Sequence, residues 1–212
     1  MANPGIFAVA EGEELWRRAP ASGAPACAGC HGEAPASMKG VAARHPAFSE
    51  TAGRPVDLEG RIEECRVSRQ REPALPPDDP KRLALASYVG FQSRGLPLAP
   101  PDDPRLAAAR ERGRLLFTRR MGQLDLACAQ CHDQNWGRKL AGATIPQGHP
   151  VGYPIYRLEW QAVGSLQRRL RACLTGVRAE PFGPDAPEYV ELELYLAERA
   201  RGLAVETPAV RP

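Results

Sequence analysis

The sequence predicts an all-α chain of two tandem domains with long irregular loops, on three observations. Proline (22) and glycine (20) are abundant among the 212 residues, which lengthens and stiffens connections and keeps sheet content low. A five-residue motif, C-x-x-C-H, occurs once in each half of the chain. A longer unit built around a lone cysteine also recurs in both halves, and an internal repeat of this kind sets the fold class.

Taken in order, Glu11 to Arg18 reads as a short first helix. Leu58 to Gln70 is a helix carrying Cys65. Asp79-Pro80 is an N-cap and N1 pair that opens a helix to about Ser93. Gly95 to Pro101 reads as a linker. Asp103-Pro104 repeats the start signal ahead of a strong helix from Arg105 to Thr118. Lys139 to Pro154, rich in Gly and Pro, is expected to loop over the second motif. Leu158 to Leu174 is expected to be helical near its end, where it carries Cys173. Pro187 to Arg201 is the last helix, with Val190, Leu194 and Ala197 on one face. The tail after Gly202 is expected to be loose. The expected division is 1–97 and 98–212.

Composition narrows the function. The hydrophobic fraction (43%) and charged fraction (25%) are those of a globular protein. A net charge of +3 without a clustered basic stripe argues against nucleic acid as a partner. No apolar run approaches the roughly 20 residues of a transmembrane segment. The start, Met-Ala-Asn-Pro-Gly, has neither a basic n-region nor an apolar h-region.

The motifs carry the chemistry. Residues 27–31 read Cys-Ala-Gly-Cys-His and residues 128–132 read Cys-Ala-Gln-Cys-His. C-x-x-C-H is the attachment signature of c-type haem. Cysteines three apart on a helical turn point to one side, so Cys27 with Cys30, and Cys128 with Cys131, can each form thioethers to one porphyrin. His31 and His132 then lie under the iron as axial ligands. A zinc site would need its C-x-x-C pairs much closer in sequence, and a thioredoxin-like motif would need a βαβ pattern. The expected cofactors are therefore two covalently attached c-type haems. The expected fold is two tandem cytochrome c-like domains, each around one haem, because a core of about a hundred residues is small without it. Attachment takes place in an oxidising compartment, so the expected location is the periplasm after removal of an export signal.

Each iron needs a second axial ligand. Met38 follows His31 too closely to reach the opposite haem face, Met121 precedes its motif, and Met1 is terminal. His45 and His149, each before a proline, are possible ligands or haem-edge histidines. The remaining candidates are Cys65 and Cys173, around which the chain repeats itself. Arg61 and Arg169 stand four residues before them, and an aliphatic residue (Ile62, Leu170) stands three before. Glu72-Pro73 and Glu180-Pro181 follow, and Tyr88 and Tyr195 stand 23 and 22 residues after. Equivalent placement points to an equivalent role, ligation of iron. The alternatives are a Cys65–Cys173 disulfide, which requires Cα atoms within about 7 Å, or two inert buried thiols.

Several segments resemble the SoxA subunit of the SoxAX cytochromes. They are Tyr153-Pro-Ile-Tyr-Arg-Leu-Glu-Trp-Gln161, Gly164-Ser165-Leu166, Arg171 to Phe182, Cys65 to Gln70 and Ala86 to Gly95. The likeness covers nearly the whole chain, and it retains the first haem's residues, as in the di-haem type. The resemblance implies an L-cysteine S-thiosulfotransferase. Its partners would be a mono-haem SoxX-like cytochrome c, a SoxYZ-like carrier protein whose cysteine receives thiosulfate, and a downstream acceptor cytochrome. It implies a heterodimer whose active haem lies in the second domain, with Cys173 as an iron ligand that can be a persulfide and Arg169 as the active-site arginine. By this resemblance Cys173 and Arg169 are the candidate catalytic residues. The Arg169 guanidinium favours thiolate over thiol and can hold a sulfonate. Clamping a haem propionate is its bland alternative, and Arg178 is a candidate for either job. Competing functions are a thiosulfate dehydrogenase forming tetrathionate and a non-catalytic di-haem electron carrier.

Overall fold

The computed structural model describes residues 3–140 and 142–212. Nine α-helices supply the frame among these residues: α1 (Ile6–Arg17), α2 (Cys27–His31), α3 (Ala34–Ser37), α4 (Leu58–Ser68), α5 (Pro80–Phe91), α6 (Ala107–Thr118), α7 (Cys128–His132), α8 (Leu166–Gly176) and α9 (Pro187–Arg199). Strands are short: β1 (Ala47–Ser49) pairs antiparallel with β2 (Arg54–Val56), and β3 (Lys139–Leu140) with β4 (Ala143–Thr144). A third sheet has the order β6-β5-β7, from Ala162–Gly164, Ile155–Arg157 and Val210–Arg211. No described helix is long and apolar enough to cross a membrane.

The two halves run through one sequence of parts: long helix, C-x-x-C-H turn, β-hairpin, helix bearing the lone cysteine, and final helix. Helix α1 crosses α5, and α6 crosses α9. Both crossings rest on a glycine. A Cβ on Gly12 would lie 2.1 Å from the Ala84 carbonyl oxygen, and one on Gly113 would lie 1.9 Å from that of Glu191. Ala84 stands four residues before Tyr88 and Glu191 four before Tyr195, so the crossings are equivalent. One turn after each glycine an aromatic side chain reaches the motif histidine. Trp16 lies 5.7 Å from His31 and 6.0 Å from Tyr88 between ring centroids. Phe117 lies 6.4 Å from His132 and 5.3 Å from Tyr195.

Helices α4, α5 and α8, and the 3₁₀ turn that leads into α6, start with a short polar side chain that accepts from the first free N–H groups. Asp57 Oδ1 accepts from the Gly60 N–H at 2.6 Å, Asp79 from Lys81, Asp103 from Arg105, and Ser165 Oγ from Arg168 at 3.0 Å.

The 158–174 stretch is helical near its end, as expected: it opens with the β5–β6 turn, where Trp160 packs under Arg168 at 4.3 Å and Arg157 at 5.2 Å, and closes in α8. One expectation needs correction: the tail is not loose. It threads between the halves, where the Val205 N–H donates to Leu96 at 2.9 Å, Glu206 N–H to Val151 at 2.7 Å, and β7 adds to β5. Val205, Thr207 and Ala209 are buried. Paired backbone on both sides explains why a Pro-containing segment is ordered.

Candidate active site

Each C-x-x-C-H motif is a single helical turn, α2 or α7. In the first half, Cys27 and His31 face Cys65 across a cavity of about 350 Å³, walled by Trp16, Met38, Leu85 and Val89. Burial pushes the Cys27 thiol up and the facing Cys65 adds to it. Cys65 is raised in turn by burial and then by Cys30, so all three sulfurs sense one space. In the second half, Cys128 and His132 face Cys173 across a cavity of about 100 Å³, lined also by Phe117, Pro146, His149 and Arg169. Burial, followed by the nearby Cys173, pushes the Cys128 thiol up to about 11. Cys30 is exposed and Cys131 half-buried. All six cysteines are free. Cys65 and Cys173 line separate cavities, which removes the disulfide alternative.

Each cavity fits a covalently held porphyrin. It has the first motif cysteine on one wall, with the second three residues on in the same helical turn, an imidazole at the end of that turn, the lone cysteine's sulfur opposite and apolar sides. His132 shows the ligand chemistry most clearly. Its Nδ1 is hydrogen-bonded to the Pro146 carbonyl oxygen at 2.7 Å, which leaves Nε2 with its lone pair free for iron. Burial, with Arg169 and Arg199 nearby, holds this imidazole below its ordinary pKa and therefore neutral. Pro146 comes from the 139–154 segment, which does reach over the second motif.

The lone-cysteine helices differ at the arginine one turn before the sulfur. Arg61 is tied down: Nη1 donates to Glu64 at 2.9 Å and Nη2 to the Phe48 carbonyl at 3.1 Å. Arg169 is not. Its nearest acid is Glu159 at 4.0 Å, and Glu159 is engaged more closely by Arg157 at 2.8 Å. Arg169 is the single charged group among the residues lining the second cavity. Arg178 lines neither cavity.

The spare histidines separate. His149 lines the second cavity, whereas His45 lies outside both, with Nδ1 hydrogen-bonded to the Val41 carbonyl at 2.9 Å. Sequence reasoning passed over Tyr153, which lines the second cavity and whose hydroxyl burial raises to about 12. It also passed over Trp16 and Phe117 beside the histidines, although each stands eleven residues before its first motif cysteine.

Two cysteine-lined, histidine-bearing cavities in a duplicated helical frame define a di-haem c-type cytochrome. The chain matches the family described as SoxA/TsdA, cytochrome c domain, over residues 11–98 and 112–205, and it belongs to that family. It is 38% identical over 211 residues to the L-cysteine S-thiosulfotransferase subunit SoxA of Pseudaminobacter salicylatoxidans, covering 99% of this chain and 74% of the relative. The equivalent subunit of Rhodovulum sulfidophilum is 36% identical over 209 residues, covering 99% and 73%. The crystal structure of SoxXA from P. pantotrophus superposes with a TM-score of 0.94 at 31% identity, covering 99% of this chain and 79% of that one.

Proposed function

We propose that this chain is the catalytic di-haem subunit of a periplasmic L-cysteine S-thiosulfotransferase. It would pair with a mono-haem SoxX-like cytochrome, act on a SoxYZ-like carrier and pass electrons to a downstream cytochrome. The observation that carries the reading is the pairing of Arg169, free of a close acid, with Cys173 in the cavity of the second C-x-x-C-H motif. The names of the relatives and the SoxXA likeness support it. Residues 1–97 form the unit holding the first haem through Cys27, Cys30, His31 and Cys65. Residues 98–212 hold the second through Cys128, Cys131, His132 and Cys173.

The haem supplies one-electron acceptance when bound. The chain does the rest. The Arg169 guanidinium binds the sulfonate end of thiosulfate by charge-assisted hydrogen bonds, which presents the outer sulfur to Cys173. A sulfur–sulfur bond forms between the Cys173 thiolate and that outer sulfur as two electrons leave. The carrier thiolate then attacks the same sulfur, and Cys173 departs as thiolate by exchange. In sum, one carrier thiol and one thiosulfate give one carrier S-thiosulfonate, two electrons and one proton. The apolar walls Phe117, Leu166, Leu170 and Leu192 keep water from the bond being exchanged.

A turnover assay on the natively matured chain with its partner cytochrome tests this. Electron release should continue over repeated turnovers only when thiosulfate and a carrier thiol are both present; without the carrier it should stop after one loading of Cys173. Tetrathionate from thiosulfate alone would show the dehydrogenase reaction instead.

A further inference from the structure

Between the two haem cavities lies a third of about 60 Å³, into which several polar side chains project, with room for a few water molecules. It shares Leu58 with the first haem cavity and shares Tyr153 and Leu166 with the second. Its lining follows the internal duplication. His45 corresponds to Tyr153, each two residues before a hairpin. Leu58 corresponds to Leu166 and Glu59 to Gln167 at the starts of α4 and α8. Ala86 corresponds to Glu193, each two residues before the final-helix tyrosine. The chamber therefore takes equivalent positions from both halves, and at three of these pairs the polar group is different or present on one side only.

Its polar groups are unusually short of partners. Gln167, 4% exposed, donates its Nε2 to Asp57 Oδ2 at 3.0 Å, but its Oε1 has no hydrogen-bond partner. His45 Nε2 is buried and also lacks one. Buried polar atoms in this state point to ordered water. Three carboxyls face the same space, Asp57, Glu59 and Glu193. Glu193, on α9, meets only acids, Asp57 and Glu59, and burial with their charges raises it well above its ordinary pKa. Glu59, on α4, lies 3.4 Å from Arg82 of α5, but Arg82 gives its hydrogen bonds to Asp185 at 2.9 and 3.4 Å, and its Nε is unpartnered. Burial first, then Asp57, push Glu59 up to about 8 against the pull of Arg82, with Asp78 and Asp185 adding to the rise. Arg61 faces His45, whose pKa burial lowers.

We propose that this chamber is a proton-loading site. In it Glu59 takes up one proton, through water held against His45, Gln167 and Glu193, when an electron enters either haem. The balance is one ferric haem, one electron, one Glu59 carboxylate and one solvent proton giving a ferrous haem and a Glu59 carboxylic acid. An electron on either side of the chamber adds negative charge in a medium of low dielectric, which favours the protonated acid. The proposal requires only the two haems; it is independent of the thiosulfate reading.

The test is a potentiometric titration of the natively matured di-haem chain across a range of pH. Uptake on reduction makes the midpoint potential of at least one haem fall as pH rises past the Glu59 pKa of the oxidised state. The limiting slope is about 59 mV per tenfold change in proton concentration for one proton per electron. Glu59→Gln, a near-isosteric copy of the protonated acid, should flatten the slope, and Glu193→Gln should keep it. A flat wild-type profile, or a slope surviving in Glu59→Gln, overturns the proposal. If Glu59→Gln does not fold, redox-difference infrared spectra of the wild type decide: a protonated carboxyl C=O band must grow on reduction, and its absence overturns the proposal. Either failure leaves the thiosulfate assay unaffected.

Discussion

The two halves share one framework and differ around the lone cysteine. In the first half, Arg61 is neutralised by Glu64 at 2.9 Å, immediately before Cys65. In the second, Ala172 occupies that position and leaves Arg169 to face the cavity. The first cavity is wide and includes Arg66, paired with Glu63 at 3.2 Å, and Arg69 at its exposed rim. The second is smaller and, apart from Arg169, uncharged, and Pro146, Gly148 and His149 close over it. On the proposed reading, a duplicated haem site becomes an anion site when the acid beside the sulfur is lost. A guanidinium without a close acid is worth more to a bound anion than one already paired.

The comparison breaks most decisively at the two sulfurs. Cys173→Ala should lower turnover about 1,000-fold or more, since it removes the group that bonds to substrate, while Cys65→Ala should leave turnover within a few fold. Equal losses, measured by steady-state assay on protein retaining both haems, would erase the distinction between the halves.

The arginines come next. Arg169→Ala should raise KM for thiosulfate roughly 10- to 100-fold, the value of one charge-assisted contact of about 1.5–3 kcal/mol, with partial recovery in Arg169→Lys. Arg61→Ala should leave KM unchanged and lower stability, because it frees the Phe48 carbonyl and Glu64.

The glycine crossings test the shared framework instead. Gly12→Ala and Gly113→Ala should each destabilise the chain by about 3 kcal/mol or more, because the new methyl would enter backbone carbonyls on α5 and α9. Chemical denaturation should give similar losses for both, and a large difference would show that the crossings are not equivalent.

The effect that bears least on the contrast between the halves is the pH dependence of stability. Glu59 has a folded-state pKa of about 8, above its ordinary 4.5, so the folded chain holds this proton more tightly than the unfolded one. The group therefore costs nothing below about 4.5, removes stability as pH rises from there to about 8, and removes no more beyond. Denaturation of Glu59→Gln should lack that component, worth up to a few kcal/mol, and should exceed the wild type in stability on the alkaline side. Wild type and variant falling in parallel would contradict the assignment.

Much of this was legible in the residues. C-x-x-C-H fixes its own geometry within one turn, and Asp79-Pro80 and Asp103-Pro104 mark helix starts by local capping. The lone cysteines were visible because the repeat spaces them alike. What stayed hidden depends on contacts between distant segments. Gly12 and Gly113 read as weak points in helices until α5 and α9 are seen pressed against them. Trp160 gives no sign of a hairpin turn until the two arginines are seen to cover it. The tail carries no strong periodicity, since its order comes from backbone pairing with residues 95–98 and 151–158. The central chamber draws its lining from both halves, and no local pattern announces it.

On the proposed mechanism, sulfur chemistry is confined to residue 173. Peptide mapping by mass spectrometry, on natively matured protein exposed to thiosulfate with an electron acceptor and no carrier, tests it most directly. Added sulfur or S-thiosulfonate mass on the Cys173 peptide and none on the Cys65 peptide is the predicted result. An unmodified Cys173, or equal labelling of both, would contradict it.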